Sequence, residues 1–125
     1  MEEVKKQEIE SLFCPYKQSL ALKELRFEEP CMRGWDKNGK IWYHPDSDIV
    51  LDNPTFSQAF RFFREKYGLH YIICKNIQMD GYGYREVILI PYMEENENTI
   101  FKTYEEAELE CLVKLIEIAK EQNIK

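Results

Sequence analysis

Long apolar runs are missing from this chain of 125 residues. No stretch approaches the ~20 consecutive apolar residues that a membrane-spanning helix needs. The opening MEEVKKQEIE is charged and lacks the apolar centre of a secretory signal peptide. We therefore expect a cytoplasmic protein that does not interact with a membrane.

Paired cysteines are missing as well. The four cysteines are scattered, without C-x-x-C spacing: Cys14, Cys31, Cys74 and Cys111. In a reducing compartment such residues are usually small buried hydrophobes. Their spacing gives no support to a zinc site shared with His44 and His70, or to a His–Cys nucleophile pair.

Motifs for other chemistry are also absent. Asp46, Asp48 and Asp52 lie close together, but the glycine and final glutamate of a calcium loop are missing, so we expect a solvated loop with aspartate turns. The chain has no nucleophile elbow, and the Gly81-Tyr82-Gly83 sequence is too short for a phosphate loop. We predict no catalytic residues, no metal and no cofactor.

Charge is unevenly distributed along the chain. The formal net charge of −6 argues against a general nucleic-acid binder. Residues 55–85 nevertheless carry +3, from five basic and two acidic residues, and they are interleaved with tyrosines on which single-stranded bases could stack. Residues 94–125 carry −5, so the alternative is that the basic and acidic segments offset each other internally.

The clearest element is a helix predicted over residues 55–69. Thr55 and Gln58 match a capping box, and Gly68 stands where a left-handed residue would end the helix. At 100° per residue one face is apolar and almost wholly aromatic: Phe56, Ala59, Phe60, Phe63 and Tyr67.

The remaining pattern predicts two more helices and two hairpins. Helices are expected from Pro15 to about Arg26 and from Thr103 to about Gln122, and strands at 31–35, 40–44, 70–75 and 84–91, with 49–51 as a further strand or packing segment. Residues 76–83 are expected to form a loop or the end of a hairpin, and residues 94–98 an exposed turn. In the first helix Tyr16 and Leu20 lie off the main apolar face, which indicates cover on two sides.

Together these elements predict one α+β domain over residues 1–125, with residues 1–13 forming a frayed or short N-terminal helix. The order is α-ββ-α-ββ-α, with about four antiparallel strands covered by the central and C-terminal helices.

A single carboxylate falls inside an apolar stripe. Glu108 lies among the apolar residues of the last helix: Tyr104, Ala107, Cys111, Leu112, Leu115, Ile118 and Ala119. A buried carboxylate must be paired, hydrogen-bonded or protonated, with Arg61, Arg64 or a tyrosine hydroxyl as partner. We interpret Glu108 as a structural anchor or stripe edge rather than a catalytic acid.

Aromatic residues beyond the needs of the core suggest a binding surface. The candidate interaction residues are Trp35, Trp42, Arg61, Phe62, Arg64 and Tyr82. Phe62 lies off the stripe of the central helix, so it is either half covered by a neighbouring element or an exposed contact for a partner.

Three stretches resemble a family of small uncharacterised proteins that recur in phage, prophage and gut-bacterial genomes. They are LALKELRFEEPC, PTFSQAFRFFREKYGL and TYEEAELECLVKLIEIAK, within a resemblance covering about residues 14–122. The resemblance implies a cytoplasmic accessory protein of a mobile element or host-associated bacterium, and it carries no site residues. Arg26 stands where the family favours glycine, which puts a left-handed helix end there in doubt.

The hypothesis that follows is a non-enzymatic interaction module that binds a protein partner or itself. The alternative is a nucleic-acid-binding accessory protein that uses residues 55–85.

Overall fold

The computed structural model describes residues 9–76, 79–86 and 100–124. Its helices and strands are α1 (Tyr16–Glu24), β1 (Arg33–Trp35), β2 (Ile41–Tyr43), β3 (Leu51–Asn53), α2 (Phe56–Tyr67), β4 (Tyr71–Asn76), β5 (Gly81–Glu86) and α3 (Tyr104–Ile124). The predicted α+β class is confirmed. The chain divides into two compact units, Met1–Ala59 and Phe60–Lys125, which are described separately below.

The first unit contains an antiparallel sheet in the order β2-β1-β3. The predicted first hairpin is confirmed: Arg33 pairs with Tyr43 and Trp35 with Ile41. Its turn closes where the Asp36 amide donates to the Lys40 carbonyl at 2.9 Å, and Gly39 supplies a φ of 82°. The segment 49–51, for which a strand was one of two expectations, ends in β3, and α1 packs against that strand.

Gly34 determines how closely β3 approaches β1. It lies between Trp42 and Asp52 in the register of the sheet. A Cβ atom at this position would collide with the Leu51 carbonyl oxygen and the Ile49 side chain. The position therefore requires glycine, because only hydrogen fits between the two strands.

Helix α1 ends in a left-handed turn despite lacking a glycine there. Arg26 has a φ of 67°. The Phe27 amide donates to the Leu22 carbonyl at 3.0 Å, and the Arg26 amide donates to the Lys23 carbonyl at 2.9 Å. These two bonds define a Schellman motif, so the doubt raised by the missing glycine was wrong.

A buried polar network holds the first unit together. The Arg33 side chain is only 2% exposed and donates to both carboxylate oxygens of Glu10, at 2.6 and 2.7 Å. Its Nε donates to Asn53 Oδ1 at 2.8 Å, and the guanidinium lies 3.8 Å from the centre of the Phe13 ring. Asn53 in turn donates to the Cys14 carbonyl at 2.7 Å and to the Ser19 hydroxyl at 3.2 Å.

The network fastens the first described residues to the sheet. Phe13 forms a β-bridge with Thr55, and the Cys14 amide donates to the Pro54 carbonyl at 2.9 Å. Of residues 1–13, which were expected to form a frayed or short helix, the structure describes 9–13. That part is tied down through Glu10 and Phe13.

Helix α2 has the predicted ends. The Gln58 amide donates to Thr55 Oγ1 at 3.2 Å, and Gln58 Oε1 accepts from the Thr55 amide at 3.0 Å, which completes the capping box. Gly68 has a φ of 66° at the other end. On the predicted apolar face Phe56, Ala59 and Phe63 are buried, while Phe60 and Tyr67 are half-buried.

The second unit contains a separate antiparallel pair, β4-β5, against which α3 packs. Within the described residues the strands therefore form two sheets, with three and two strands, rather than one set of about four. Of the two expectations for residues 76–83, the hairpin end applies to Gly81–Gly83, which lies inside β5 and pairs with β4. Residues 87–91 of the predicted last strand and the predicted turn at 94–98 lie outside the described residues.

Phe101 extends this sheet beyond β5. It exchanges two backbone hydrogen bonds with Tyr82, at 2.7 and 2.8 Å. Their side chains also belong to ring contacts: Tyr84 stacks on Phe101 and Tyr82 meets Tyr104 edge to face.

Helix α3 begins where its cap predicted. The Glu106 amide donates to Thr103 Oγ1 at 3.1 Å, although the Glu106 carboxylate accepts from the Lys102 amide instead of closing the capping box. Most of the predicted apolar stripe is buried, but Tyr104 is exposed and Ile118 is half-buried. Ile116, which was not part of the predicted stripe, is buried as well. The buried residues of α3 are Ala107, Cys111, Leu112, Leu115, Ile116 and Ala119.

Candidate interaction surface

The six candidate interaction residues fall in both units. Trp35 and Trp42 belong to the first, and Arg61, Phe62, Arg64 and Tyr82 to the second. Phe62 is 7% exposed and Trp35 is 9% exposed, so neither ring offers a partner the exposed surface that a contact needs. For Phe62 this agrees with cover by a neighbour, the first of its two interpretations. Phe62 is covered because its ring packs edge to face on Phe63 and Tyr67, at 5.3 and 5.9 Å between centroids.

Trp42 is half-buried and fixed by two neighbours. Its indole Nε1 donates to Asp36 Oδ2 at 2.8 Å, and the Lys40 amine lies 4.6 Å from the ring centre. The indole hydrogen bond is also the largest cause of the lowered pKa of the Asp36 carboxyl. Because the indole N–H already has a hydrogen-bond acceptor, the main role of Trp42 is to stabilise the hairpin turn.

Arg61 and Arg64 lie exposed on α2, as expected. Arg61 Nε is 3.5 Å from the Glu65 carboxylate one turn later, and both side chains are well exposed, so this ion pair contributes little to stability. Tyr82 is half-buried against the Tyr104 ring.

Glu108 is half-buried, as its position in the stripe predicted. Burial, reinforced by the neighbouring Glu105 charge, raises the pKa of its carboxyl from 4.5 to about 7. In the described part of the chain no residue donates a hydrogen bond to it, so neither Arg61 nor Arg64 serves as the expected partner. Protonation is then the way in which the fold accommodates this group at mildly acid pH.

The thiols and histidines do not assemble into a reactive site within the described residues. All four cysteines are free and three are buried, and burial raises the pKa of the Cys31 and Cys111 thiols to about 12. His44 pairs with Asp52, with 2.8 Å between Nε2 and Oδ1, and neither histidine bonds a cysteine there. Across the same residues no group of three or more His, Cys, Asp or Glu side chains is placed to hold a metal ion.

The aspartate-rich loop folds on itself. Asp46 Oδ1 accepts from the Asp48 amide at 2.9 Å, which is an aspartate turn of the expected kind.

An exposed apolar surface on the first unit was missed by the list of candidate residues. Tyr16, Leu20 and Val50 are 51, 41 and 54% exposed, and Tyr16 and Val50 contact the buried Trp35. The Tyr16 ring meets the Trp35 ring edge to face at 5.0 Å, and the Val50 amide donates to the Trp35 carbonyl at 2.9 Å. Leu20 follows Tyr16 by one turn of α1. We call Tyr16, Leu20 and Val50 the α1 patch.

A cleft of about 280 Å³ borders the α1 patch and shares Val50 with it. The Lys23 amine crosses from α1 and donates to the Val50 carbonyl at 3.0 Å. The cleft has an apolar wall and two carboxylates, and its lining residues are Ser19, Lys23, Phe27, Glu28, Ile49, Val50, Leu51 and Asp52.

The sequence did contain a signal for this surface. Tyr16 and Leu20 form a second apolar face on α1, for which cover was expected. The structure leaves both side chains exposed, so the expectation of cover was wrong for them. Nothing in the sequence indicates that Val50 belongs to this surface, because its position depends on the pairing of β3 with β1, which are distant in the sequence.

Comparison with known proteins gives no match to a family model, a curated protein or a solved structure. The resemblance to phage-associated proteins therefore stays a prediction. None of the helices in the described ranges combines the length and apolar character that crossing a bilayer demands.

Proposed function

We propose that this protein is a protein-binding module whose first unit receives its partner on the α1 patch. The observation that supports the proposal is the exposure of three large apolar side chains, of which Tyr16 and Leu20 are adjacent on α1 and Tyr16 and Val50 contact Trp35. Isolated exposed apolar side chains are ordinary, whereas a contiguous group beside a cleft is typical of a binding surface.

The patch has the composition of an interface centre. Tyrosine is enriched among residues that contribute most to binding, because its ring gives a large contact area with little loss of conformational freedom. The edge-to-face contact with Trp35 already restrains the Tyr16 ring. A partner would therefore meet a preorganised aromatic surface.

The cleft sets the charge of the partner. Glu28 and Asp52 contribute two carboxylates, of which Asp52 also pairs with His44, while the single lining amine, Lys23, donates to the Val50 carbonyl. The partner that fits is a peptide segment with an apolar side chain for the α1 patch and a neighbouring lysine or arginine for the cleft.

The test uses peptides selected from a random displayed library against the immobilised protein, with Kd measured by calorimetry. Leu20→Ser should weaken the selected peptides by about tenfold, since loss of one interface anchor removes about 1–2 kcal/mol. The matched control is Met32→Ser, at an apolar residue outside the patch that is 66% exposed, which should leave Kd within about twofold. Peptides that bind Leu20→Ser and Val50→Ser as tightly as the natural sequence would refute the assignment.

A second candidate function is nucleic-acid binding through the basic residues of α2. It is favoured by the exposure of Arg61 and Arg64, three residues apart and therefore adjacent on the helix surface. The burial of Phe62 weakens it, because that ring is unavailable for base stacking.

Binding of single-stranded oligonucleotides at low salt tests this alternative. Arg64→Glu should reduce affinity and flatten its salt dependence, while Lys37→Glu in the exposed turn of the first hairpin should change neither. No binding at low salt would dismiss nucleic acid as the partner.

A further inference from the structure

Strand β4 has one edge that faces away from its own sheet. The backbone amide and carbonyl of Tyr82 in β5 both bond Phe101, on the side away from β4. Backbone groups alternate in direction along a strand, so those of Gly83 and Arg85 point to β4, where they are paired with Cys74 and Ile72. The alternation of an antiparallel ladder then leaves three residues of β4 with outward amides and carbonyls: Tyr71, Ile73 and Lys75.

No partner for these outward groups exists within residues 9–76, 79–86 and 100–124. β4 pairs with β5 alone, and none of the three residues has a backbone hydrogen bond beyond that sheet. Strand β4 is six residues long, and Lys75, the last of its three outward residues, is exposed. On the same strand Ile72 is 41% exposed. An unpaired edge of this length is a template for another strand.

We propose that β4 pairs with β4 of a second copy of this chain, antiparallel and about a two-fold axis. The symmetric register centred on Ile73 uses all three outward residues of each copy. It places Ile73 opposite Ile73 and Tyr71 opposite Lys75, which avoids facing like charges and brings an ammonium to an aromatic ring.

The other face of the joined strands is equally self-complementary. In the same register Ile72 lies opposite Cys74 of the second copy, so the exposed isoleucine gains an apolar neighbour. The result is a continuous four-stranded sheet, β5-β4-β4-β5, with a closed two-fold interface. This association uses the second unit and does not depend on the α1 patch.

Sedimentation velocity over a wide concentration range tests the pairing. We expect a monomer–dimer equilibrium that Ile73→Pro weakens by about tenfold or more, because proline removes the outward amide while the bonds from β4 to β5 come from its neighbours. Leu20→Ser in the α1 patch is the matched control and should leave the equilibrium unchanged. A monomer at every concentration, or a dimer that a folded Ile73→Pro variant retains, would overturn the proposal.

Cysteine cross-linking decides the register even if Ile73→Pro fails to fold. Ile72→Cys changes an exposed side chain and places a thiol opposite the free Cys74 of the second copy, in a pair close enough for a disulfide. Oxidation by copper phenanthroline, which takes two electrons from the two thiols, should give a dimer linked between positions 72 and 74 of different chains by peptide mass spectrometry. A monomer, or a dimer linked at other cysteines, would refute the register.

Discussion

The two units of this protein are stabilised in different ways. In the first, the buried side chains include a charged guanidinium, an amide and a hydroxyl: Arg33, Asn53 and Ser19. In the second, the buried residues of α3 are all apolar, and five of its side chains have no exposed surface: Ala107, Cys111, Leu112, Leu115 and Ala119. Hydrogen bonds and ion pairs are directional, so they hold the side chains in one arrangement. The burial of apolar surface does not depend on direction and allows more than one arrangement of the side chains.

The chain provides a separate probe for each unit. Both tryptophans, Trp35 and Trp42, lie in the first unit, so their fluorescence reports on it. Helix α3, with 21 residues, and most of α2 lie in the second, so the far-ultraviolet circular dichroism reports mainly on that unit. Each variant below can therefore be assigned to the unit that it perturbs.

The largest effect is expected from Asn53→Leu. This near-isosteric change removes the acceptor of Arg33 Nε, while the Cys14 carbonyl loses its 2.7 Å bond and keeps the 3.4 Å bond from the Ser19 hydroxyl. It should lower the free energy of unfolding by about 3–5 kcal/mol, because a buried group of a charged side chain that loses its partner costs more than the roughly 1–3 kcal/mol of a neutral one. Urea unfolding followed by tryptophan fluorescence measures it, with the exposed Asn38→Leu as control. A loss below about 1 kcal/mol would show that the network is dispensable.

Leu112→Ala tests the apolar unit and is expected to cost about 2–4 kcal/mol, from lost transfer free energy plus the cavity left behind. Circular dichroism during urea unfolding measures it, and Ile124→Ala at the exposed end of α3 should be nearly neutral. If the unfolding transition measured by fluorescence shifts as much as the one measured by circular dichroism, the two units unfold together rather than independently.

Glu108→Gln should stabilise the protein at neutral pH. The folded-state pKa of about 7 lies above the ordinary 4.5, so the folded protein holds this proton more tightly and stability falls as pH rises through that window. Glutamine removes the penalty, for a gain of about 1 kcal/mol at pH above 7 after solvent screening of a half-exposed group. Melting temperatures of both proteins at pH 5 and pH 8 measure it. A variant whose pH profile matches the natural sequence would exclude Glu108 as the cause.

The smallest effect is expected from Arg26→Gly. Glycine adopts a φ of 67° without the steric penalty of a side chain, so the variant should be more stable by about 0.5–1 kcal/mol. Lys17→Gly, in the first turn of the same helix, should instead be destabilising by a similar amount. Thermal unfolding followed by fluorescence compares the two, and destabilisation by Arg26→Gly would contradict the left-handed turn.

Local and periodic features could be predicted from the sequence. The Thr55–Gln58 cap, Gly68, the first hairpin and the stripe of α3 depend on residues a few positions apart, and the structure confirms them. Glu108 was identified by the same periodicity, because a charge at a stripe position is conspicuous on a helical wheel.

Features that depend on distant residues could not be predicted. Arg33 meets Asn53 and Glu10, which are 20 and 23 positions away, and no local pattern marks such a group as buried. The same reason explains the burial of Trp35 and the addition of β3 to the first sheet. The Arg26 turn was missed because its bonds outweigh the preference for glycine.

Gly34 also has a consequence for the binding surface that we propose on the first unit. Its missing side chain lets residues 49–52 lie directly against β1, and those residues form one wall of the cleft beside the α1 patch. Gly34 therefore affects the width of the cleft, although it is not one of the lining residues. Alanine at residue 34 would push the wall outward and alter which side chains the cleft accepts, without touching any group that contacts them.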